Sequence, residues 1–369
     1  ILFLYCVHNL MKKNITFLGI ETSCDETAAA VIQENVDGSA KILSNIVSSQ
    51  IKEHEEFGGV VPELAARSHV ENIDFIISKA LEDSKLTIGE MDGIAATAGP
   101  GLMVCLTVGL NIGKSIAAFA NKPFVAVNHL EGHALSPGLE NKIDFPYLLL
   151  LISGGHSQYL IVRDINKYEQ LGTTIDDALG EAFDKTAKML DLGYPGGPNI
   201  EKFSKLGDKN SYKLPEPIIN RGGCNLSFAG LKTAVLRESK NINGDLQLKY
   251  NLAASFQNTV NKILIKKTKE AMKQFRNKTL LKEKISFVIA GGVAANQSIR
   301  ENLTLVCKEM NFIPLLPDLK FCGDNAAMIA WAGIKRYKKK LIDKLDFVAK
   351  SRWPLDPTAK YLKGPGLKL

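Results

Sequence analysis

Apolar and polar residues form short β-rich runs along the first part of the chain, and these predict strands at residues 14–20, 28–33 and 41–50. Over residues 64–81 the apolar spacing changes to the helical period, and Pro62 stands where a first helical turn accepts a residue without an N–H. Two apolar strands, 93–97 and 124–128, flank a helix over 103–120 whose small residues Gly109, Gly113, Ala117 and Ala118 predict close packing. The order then restarts. Strands at 147–153, 159–164 and 168–174 precede a helix at 177–191, a long helix at about 248–275, a strand at 285–290, and helices at 294–309 and about 325–340. Stretches 193–198 and 213–224 read as loops bordering a cleft. The pattern is that of a duplicated α/β protein, and no repeat of roughly 20–50 residues suggests a solenoid.

Composition narrows the class. The chain has 369 residues, 45% hydrophobic and 23% charged, as expected of a globular protein with two ordinary domains. No apolar run approaches the roughly 18 residues that span a bilayer, so no membrane association is expected. Residues 1–10 are apolar but precede Met11-Lys12-Lys13 without a basic leader or a small-residue cleavage site; they are expected to lie outside the fold. Six scattered cysteines without a C-x-x-C pair exclude a zinc ribbon or a secreted disulfide framework, and fit a reducing, cytoplasmic setting. The net charge of +7 is unevenly spread: residues 331–369 hold 11 Lys/Arg against three Asp, and the rest of the chain is close to neutral. The cluster Lys335, Arg336, Lys338, Lys339 and Lys340 is either a solvated helix end suited to the helix dipole or a phosphate-facing patch for nucleic acid.

Each half opens on strand, turn, strand. The first turn lies in Gly19-Ile20-Glu21-Thr22-Ser23-Cys24-Asp25-Glu26-Thr27, the second in Leu151-Ile152-Ser153-Gly154-Gly155-His156-Ser157. Turns of this kind can offer backbone N–H groups to phosphate oxygens, with glycine permitting close approach. A third, Ile289-Ala290-Gly291-Gly292-Val293-Ala294-Ala295-Asn296, follows a strand and opens a helix, a ready seat for a nucleotide. Asn296 either hydrogen-bonds that nucleoside or caps the helix. Gly113-Lys114-Ser115 is no P-loop, because Val108 stands where the first glycine is required. In Asn128-His129-Leu130-Glu131-Gly132-His133 the two histidines lie four apart, on one helical face and close enough for one metal ion. Zinc-protease chemistry is disfavoured, since that motif needs Glu directly after the first His and Leu130 is there. A third ligand must come from far along the chain. Asp324, in Phe321-Cys322-Gly323-Asp324-Asn325-Ala326-Ala327, is suitably placed before a helix, and its other reading is that helix's N-cap.

These segments resemble the TsaD family of tRNA adenosine threonylcarbamoyltransferases, within the actin-like ATPase and sugar-kinase superfamily. The resemblance rests on GIETSCDETAAAV, GGVVPELAARSHVENI, GPGLMVCLTVGLNIGKSIA, NHLEGH, LLISGGHSQYLIV, IDDALGEAFDKTAKMLDLGYPGGP, LSFAGLKTAV, VIAGGVAAN and DNAAMIA, in order over residues 14–331. It implies an α/β fold of duplicated actin-like (ribonuclease H-like) domains with a cleft between them. Residues 1–13 would be an extension, 14–127 plus about 315–369 the first domain, and 128–314 the second. It also implies one divalent metal ion per subunit, Fe2+ in preference to Zn2+, on His129, His133 and Asp324. The adenylate would be contacted by Leu151, Ile152, Ser153, Gly154, Gly155, Asp184, Gly197 and Asn296, with Glu201 near the ribose. The implied reaction moves the threonylcarbamoyl group of L-threonylcarbamoyl-adenylate to N6 of adenosine 37 in tRNAs reading ANN codons, releasing AMP. TsaB-like and TsaE-like proteins are the implied partners. Asp25 or Glu26 could assist proton removal, and spacing does not choose between them. Two positions depart from the family: Gly323 replaces a common hydroxyl residue, and Ser157 a threonine. The alternatives are an actin-like-fold carbamoyltransferase or kinase acting on a small molecule, and a non-catalytic scaffold; the three retained ligand residues speak against the scaffold.

Overall fold

The structure, a computed structural model, describes residues 14–360. The expectation for residues 1–13, and Lys363 and Lys368 of the basic tail, lie outside that range. By contacts the chain divides into two units, the first ending at Ile143 and resuming over Gly323–Pro357, the second beginning at Asp144 and running to Cys322. The sequence reading placed these boundaries at 127/128 and about 315; the division instead keeps the NHLEGH segment and Asp324 within one unit.

In unit 1, β1 (Ile15–Glu21), β2 (Glu26–Glu34) and β3 (Ala40–Ser49) form an antiparallel meander. After α1 (Ile51–Glu55) and α2 (Pro62–Ser84), β4 (Gly93–Gly99) joins parallel to β1. Then α3 (Met103–Phe119), β5 (Phe124–Asn128) and α4 (His129–Leu135) complete this stretch, with sheet order β3-β2-β1-β4-β5. Parallel β4 and β5 are buried along their whole length, which is why they read as continuous apolar runs, whereas edge strand β3 is mostly half-buried.

Unit 2 repeats the plan. It contains β6 (Tyr147–Ile152), β7 (Ser157–Asp164), β8 (Lys167–Thr173), α5 (Leu179–Met189), α6 (Gly196–Ser204), α7 (Ala229–Ser239) and α8 (Leu246–Thr279), then β9 (Ile285–Ala290), α9 (Gln297–Met310) and β10 (Phe312–Leu315). Its order, β10-β9-β6-β7-β8, again sets three antiparallel strands beside two parallel ones. Identical strand order and direction in two sheets is the structural form of the duplication read from the sequence. Four elements were not anticipated, the first being the five-residue α1. Helix α6 begins inside the stretch read as loop, and its Pro198 sits in the first turn, where a missing N–H costs nothing. Helix α7 was not assigned, and β10 is a four-residue edge strand with Pro314 in it.

The chain returns to unit 1 as α10 (Ala326–Lys338), which lies against β1, β2 and β4. Small residues permit this approach: a Cβ on Gly19 would stand 2.5 Å from the backbone of Ala326 and Ala330, and one on Gly333 2.5 Å from Ala95. The same helix carries most of the basic cluster, and much of that cluster is engaged inward. Lys335 and Lys338 pair with the buried Glu34 at 2.5 and 2.9 Å, and Arg336 is buried against Glu131 at 2.8 Å. Lys338, Lys339 and Lys340 are exposed at and just beyond the helix end.

The Glu131–Arg336 pair ties α4 to α10. Removing one member strands a buried charge, so Arg336→Met is expected to lower unfolding free energy by about 3–5 kcal/mol, with much of the loss recovered in Glu131→Gln/Arg336→Met. Denaturant titration of the three variants measures this; a single-variant loss under about 1 kcal/mol would refute the pair's role.

Candidate metal centre and glycine-rich loops

Strand β5 ends at Asn128, whose side chain accepts from Leu130 N at 2.9 Å and so starts α4. The helix is buried throughout, and its first and fifth residues, His129 and His133, share a face. Asp324 approaches them from the turn before α10. Asn325, not Asp324, caps that helix: its Oδ1 accepts from Met328 N at 3.0 Å. Asp324 is therefore turned to the histidines, its Oδ1 3.0 Å from His133 Nε2 and 3.4 Å from His129 Nε2. One ligand atom from each residue lies within 4.8 Å of the others. Two donors each roughly 2.1 Å from one ion, at angles of about 90–110°, stand about 3.0–3.4 Å apart. The donor set thus fits a divalent ion bound by two imidazoles and a carboxylate, and its chemistry suits iron or zinc. Glu131 of the same helix is committed to Arg336, which removes it as a protease-like base.

Sequence reasoning missed the residues behind His129. Glu21, the last residue of β1, has no exposed surface, and its Oε2 lies 3.1 Å from His129 Nδ1. Thr97 Oγ1 donates to the same oxygen at 2.5 Å, and Ser23 N donates to Oε1 at 2.5 Å. Only a charged residue closing an otherwise apolar strand could have signalled this. Burial acts to raise the Glu21 pKa, but the charge and hydrogen bond of His129 outweigh it and hold it below the ordinary value. Asp324 is likewise held well below the usual carboxylate range, burial being opposed by both histidines. Burial would lower His129, yet Asp324 and Glu21 on its two sides raise it well above the usual imidazole value.

Asp25 and Glu26 are half-buried in and just after the turn that joins β1 to β2, which His69 braces through Nε2, 3.0 Å from Cys24 O. Burial, reinforced by the carboxylates of Asp324 and Asp25, pushes Glu26 well above the ordinary range, so it keeps its proton to unusually high pH.

In unit 2 the turn after β6 is closed by Ser153, whose N donates to His156 O at 2.8 Å and whose Oγ accepts from His156 N at 3.1 Å. Leu151 and Ile152 have no exposed surface and belong to the core, so they support the turn from below. Asp184 accepts from Gly196 N at 2.8 Å and so fixes the first turn of α6. Asn296 caps α9 through Ile299 N at 3.0 Å and donates to Gln257 at 2.9 Å, so its side chain has partners within the unit. Glu201 accepts from Gln297 N and Ser298 N at 2.8 and 3.3 Å, so the first amides of α9 are already satisfied. The glycines divide into two kinds. Gly180 and Gly196 are required by packing, since a Cβ would come within 2.8 Å of Gly154 and 2.5 Å of Asp184 respectively. Gly154, Gly155, Gly197 and Gly292 are not: a Cβ on any of them meets nothing within 4 Å. Internal packing does not account for the absence of a side chain at those four positions; close approach of a ligand would.

A family model described as "TsaD: tRNA N6-adenosine threonylcarbamoyltransferase" matches residues 41–331. A protein of that name from Pelagibacter ubique (strain HTCC1062) is 60% identical over 359 residues, covering 97% of this chain and all of its own length. The chain belongs to the TsaD family. A Brucella anthropi protein of the same name is 50% identical over 95% of this chain and 98% of its own length. The T. kodakarensis HypF structure overlaps 88% of this chain and 48% of its own, with a TM-score of 0.55 at 13% identity, a likeness of fold. The two positions departing from the TsaD pattern are structurally mild. A Cβ on Gly323 would meet nothing within 4 Å, and the Ser157 hydroxyl accepts from Leu179 N at 2.8 Å. Among the described residues, no helix is long and apolar enough to cross a membrane.

Proposed function

We propose that this chain transfers the threonylcarbamoyl group of L-threonylcarbamoyl-adenylate to N6 of adenosine 37 in tRNAs reading ANN codons. The reading is carried by one observation: a chain matching the TsaD family over nearly its whole length brings His129, His133 and Asp324, residues far apart in sequence, to one point. In the reaction the N6 nitrogen forms a bond to the carbamoyl carbon, the bond from that carbon to the phosphate oxygen breaks, AMP leaves, and the amine gives up a proton. A divalent metal, Fe2+ in preference to Zn2+, would be held by His129, His133 and Asp324 and would polarise a carbamoyl or phosphate oxygen. The Ser153-Gly154-Gly155 turn, Gly197 and the Gly292 turn hold the adenylate through backbone contacts, with Asp184, Asn296 and Glu201 shaping those turns. Asp25 and Glu26 are the candidates for moving the amine proton, the Glu26 carboxyl being held above the ordinary carboxylate range by burial and by the neighbouring carboxylates of Asp324 and Asp25. An anticodon-loop base is accessible without opening a duplex, which suits it as acceptor. TsaB-like and TsaE-like proteins are the proposed partners, in the cytoplasm.

The test is direct. Purified protein, with and without those partners, is given synthetic donor and unmodified tRNA, and the digested tRNA is analysed for threonylcarbamoyl-adenosine by mass spectrometry. Product that requires tRNA supports the reading; turnover of a small-molecule acceptor with none on tRNA would replace it by the alternative carbamoyltransferase.

A further inference from the structure

A fully buried carboxylate, Glu21, stands at the end of the central strand β1, behind the three converging groups. Glu21 lies in β1, the central strand of the unit 1 sheet, and Thr97 in the neighbouring parallel strand β4. Their exposures are 0% and 1%, against 8% for His129. Three partners fix the orientation of Glu21: Ser23 N on Oε1 at 2.5 Å, Thr97 Oγ1 on Oε2 at 2.5 Å, and then His129 Nδ1 on Oε2 at 3.1 Å. A carboxylate only accepts, so the imidazole must carry a hydrogen on Nδ1, which leaves Nε2 as the atom free to bind a metal. Nε2 is the atom that stands 3.4 Å from Asp324 Oδ1. Ser23 Oγ, 3.2 Å from the same Nδ1, adds a second acceptor on that side.

We propose that Glu21 is a positioning residue for the metal centre: held by Ser23 and Thr97, it sets the tautomer and ring orientation of His129 and makes its Nε2 a stronger donor. This rests on the metal reading above. A carboxylate behind a ligating histidine restrains the ring and raises its basicity, and loss of such a partner typically weakens metal binding by about 10–100-fold. The role is confined to His129, because His133 Nδ1 is buried and has no hydrogen-bond partner. The asymmetry makes His129 the preorganised ligand of the pair.

Cobalt(II) provides the probe, since both its affinity and its d–d absorption report on the ligands. In Glu21→Gln the dissociation constant for cobalt is expected to rise about 10–100-fold, and the absorption band to shift, while the metal-free protein unfolds cooperatively as wild type does. Thr97→Val, which loosens the carboxylate without touching His129, should move both quantities the same way by less. Glu21→Asp keeps a carboxylate but withdraws it by one methylene, and serves if the glutamine variant does not fold; it should also bind cobalt more weakly. Affinity within about twofold of wild type and an unchanged band, in whichever of Glu21→Gln and Glu21→Asp folds, would overturn the proposal. Wild-type protein that takes up no cobalt, or a His129→Ala/His133→Ala variant that still does, would instead overturn the metal reading on which it rests.

Discussion

Replacing His129 and His133 together by alanine is expected to leave the protein without bound metal and to slow threonylcarbamoyl transfer by about three orders of magnitude or more. The metal expectation follows from geometry: with both Nε2 atoms gone, only the Asp324 carboxylate remains of the three converging groups, and one carboxylate does not retain iron or zinc. The rate expectation follows from charge. Polarising a carbamoyl or phosphate oxygen is worth several kcal/mol, and each 1.36 kcal/mol is about tenfold. Alanine also leaves the carboxylates of Glu21 and Asp324 without their histidine partners, so a loss of stability must be separated from a loss of metal. Asp324→Asn makes that separation, because it keeps the side chain's shape while removing a charged ligand. Elemental analysis of the purified variants and the tRNA assay give the two readouts. Stoichiometric metal in the double histidine variant would place the ion elsewhere.

The histidine pair was legible in the sequence because both ligands lie on one turn of one helix, and a four-residue spacing is a statement about a single local element. Asp324 was only half legible. Ligand and helix cap were both open to a residue before a helix, and what decides between them is that Asn325 takes the cap. Glu21 could not be read, since its bond to His129 spans 108 positions and depends on which strands are neighbours in the sheet. The fold was more legible than the site for the same reason: strand periodicity is local, and the repeated order of elements carried the duplication. Of the missed α1, α6, α7 and β10, α1 and β10 are only five and four residues long, and α6 and β10 contain a proline that local propensity counts against them. For Asn296 a nucleoside contact and a helix cap were both open, and the structure shows the cap, with its amide nitrogen given to Gln257. The basic cluster was open between a solvated helix end and a phosphate-facing patch, and charge counting could not show that Glu34 and Glu131 pair with three of its five cations.

Substituting valine for Gly155 is expected to weaken binding of AMP-like ligands by roughly 10–100-fold, about 1.4–2.7 kcal/mol, while changing unfolding free energy by less than about 0.5 kcal/mol. A stability change that small follows from the surroundings: a Cβ there meets nothing within 4 Å, and Gly155 does not have the positive φ that would strain a side chain. The binding loss follows if the space is kept for a ligand, because a branched side chain would then fill it. Gly196 is the control. A Cβ on it would press to 2.5 Å from the Asp184 backbone, so Gly196→Val should destabilise the unit outright. Calorimetric titration with AMP, run beside denaturant unfolding, therefore distinguishes a glycine kept for packing from one kept for approach. The same separation of binding from stability is expected at Gly154, Gly197 and Gly292, whose added Cβ atoms also find open space. If all four valine variants bind AMP as wild type does, these turns are only turns, and the adenylate must be held by other residues.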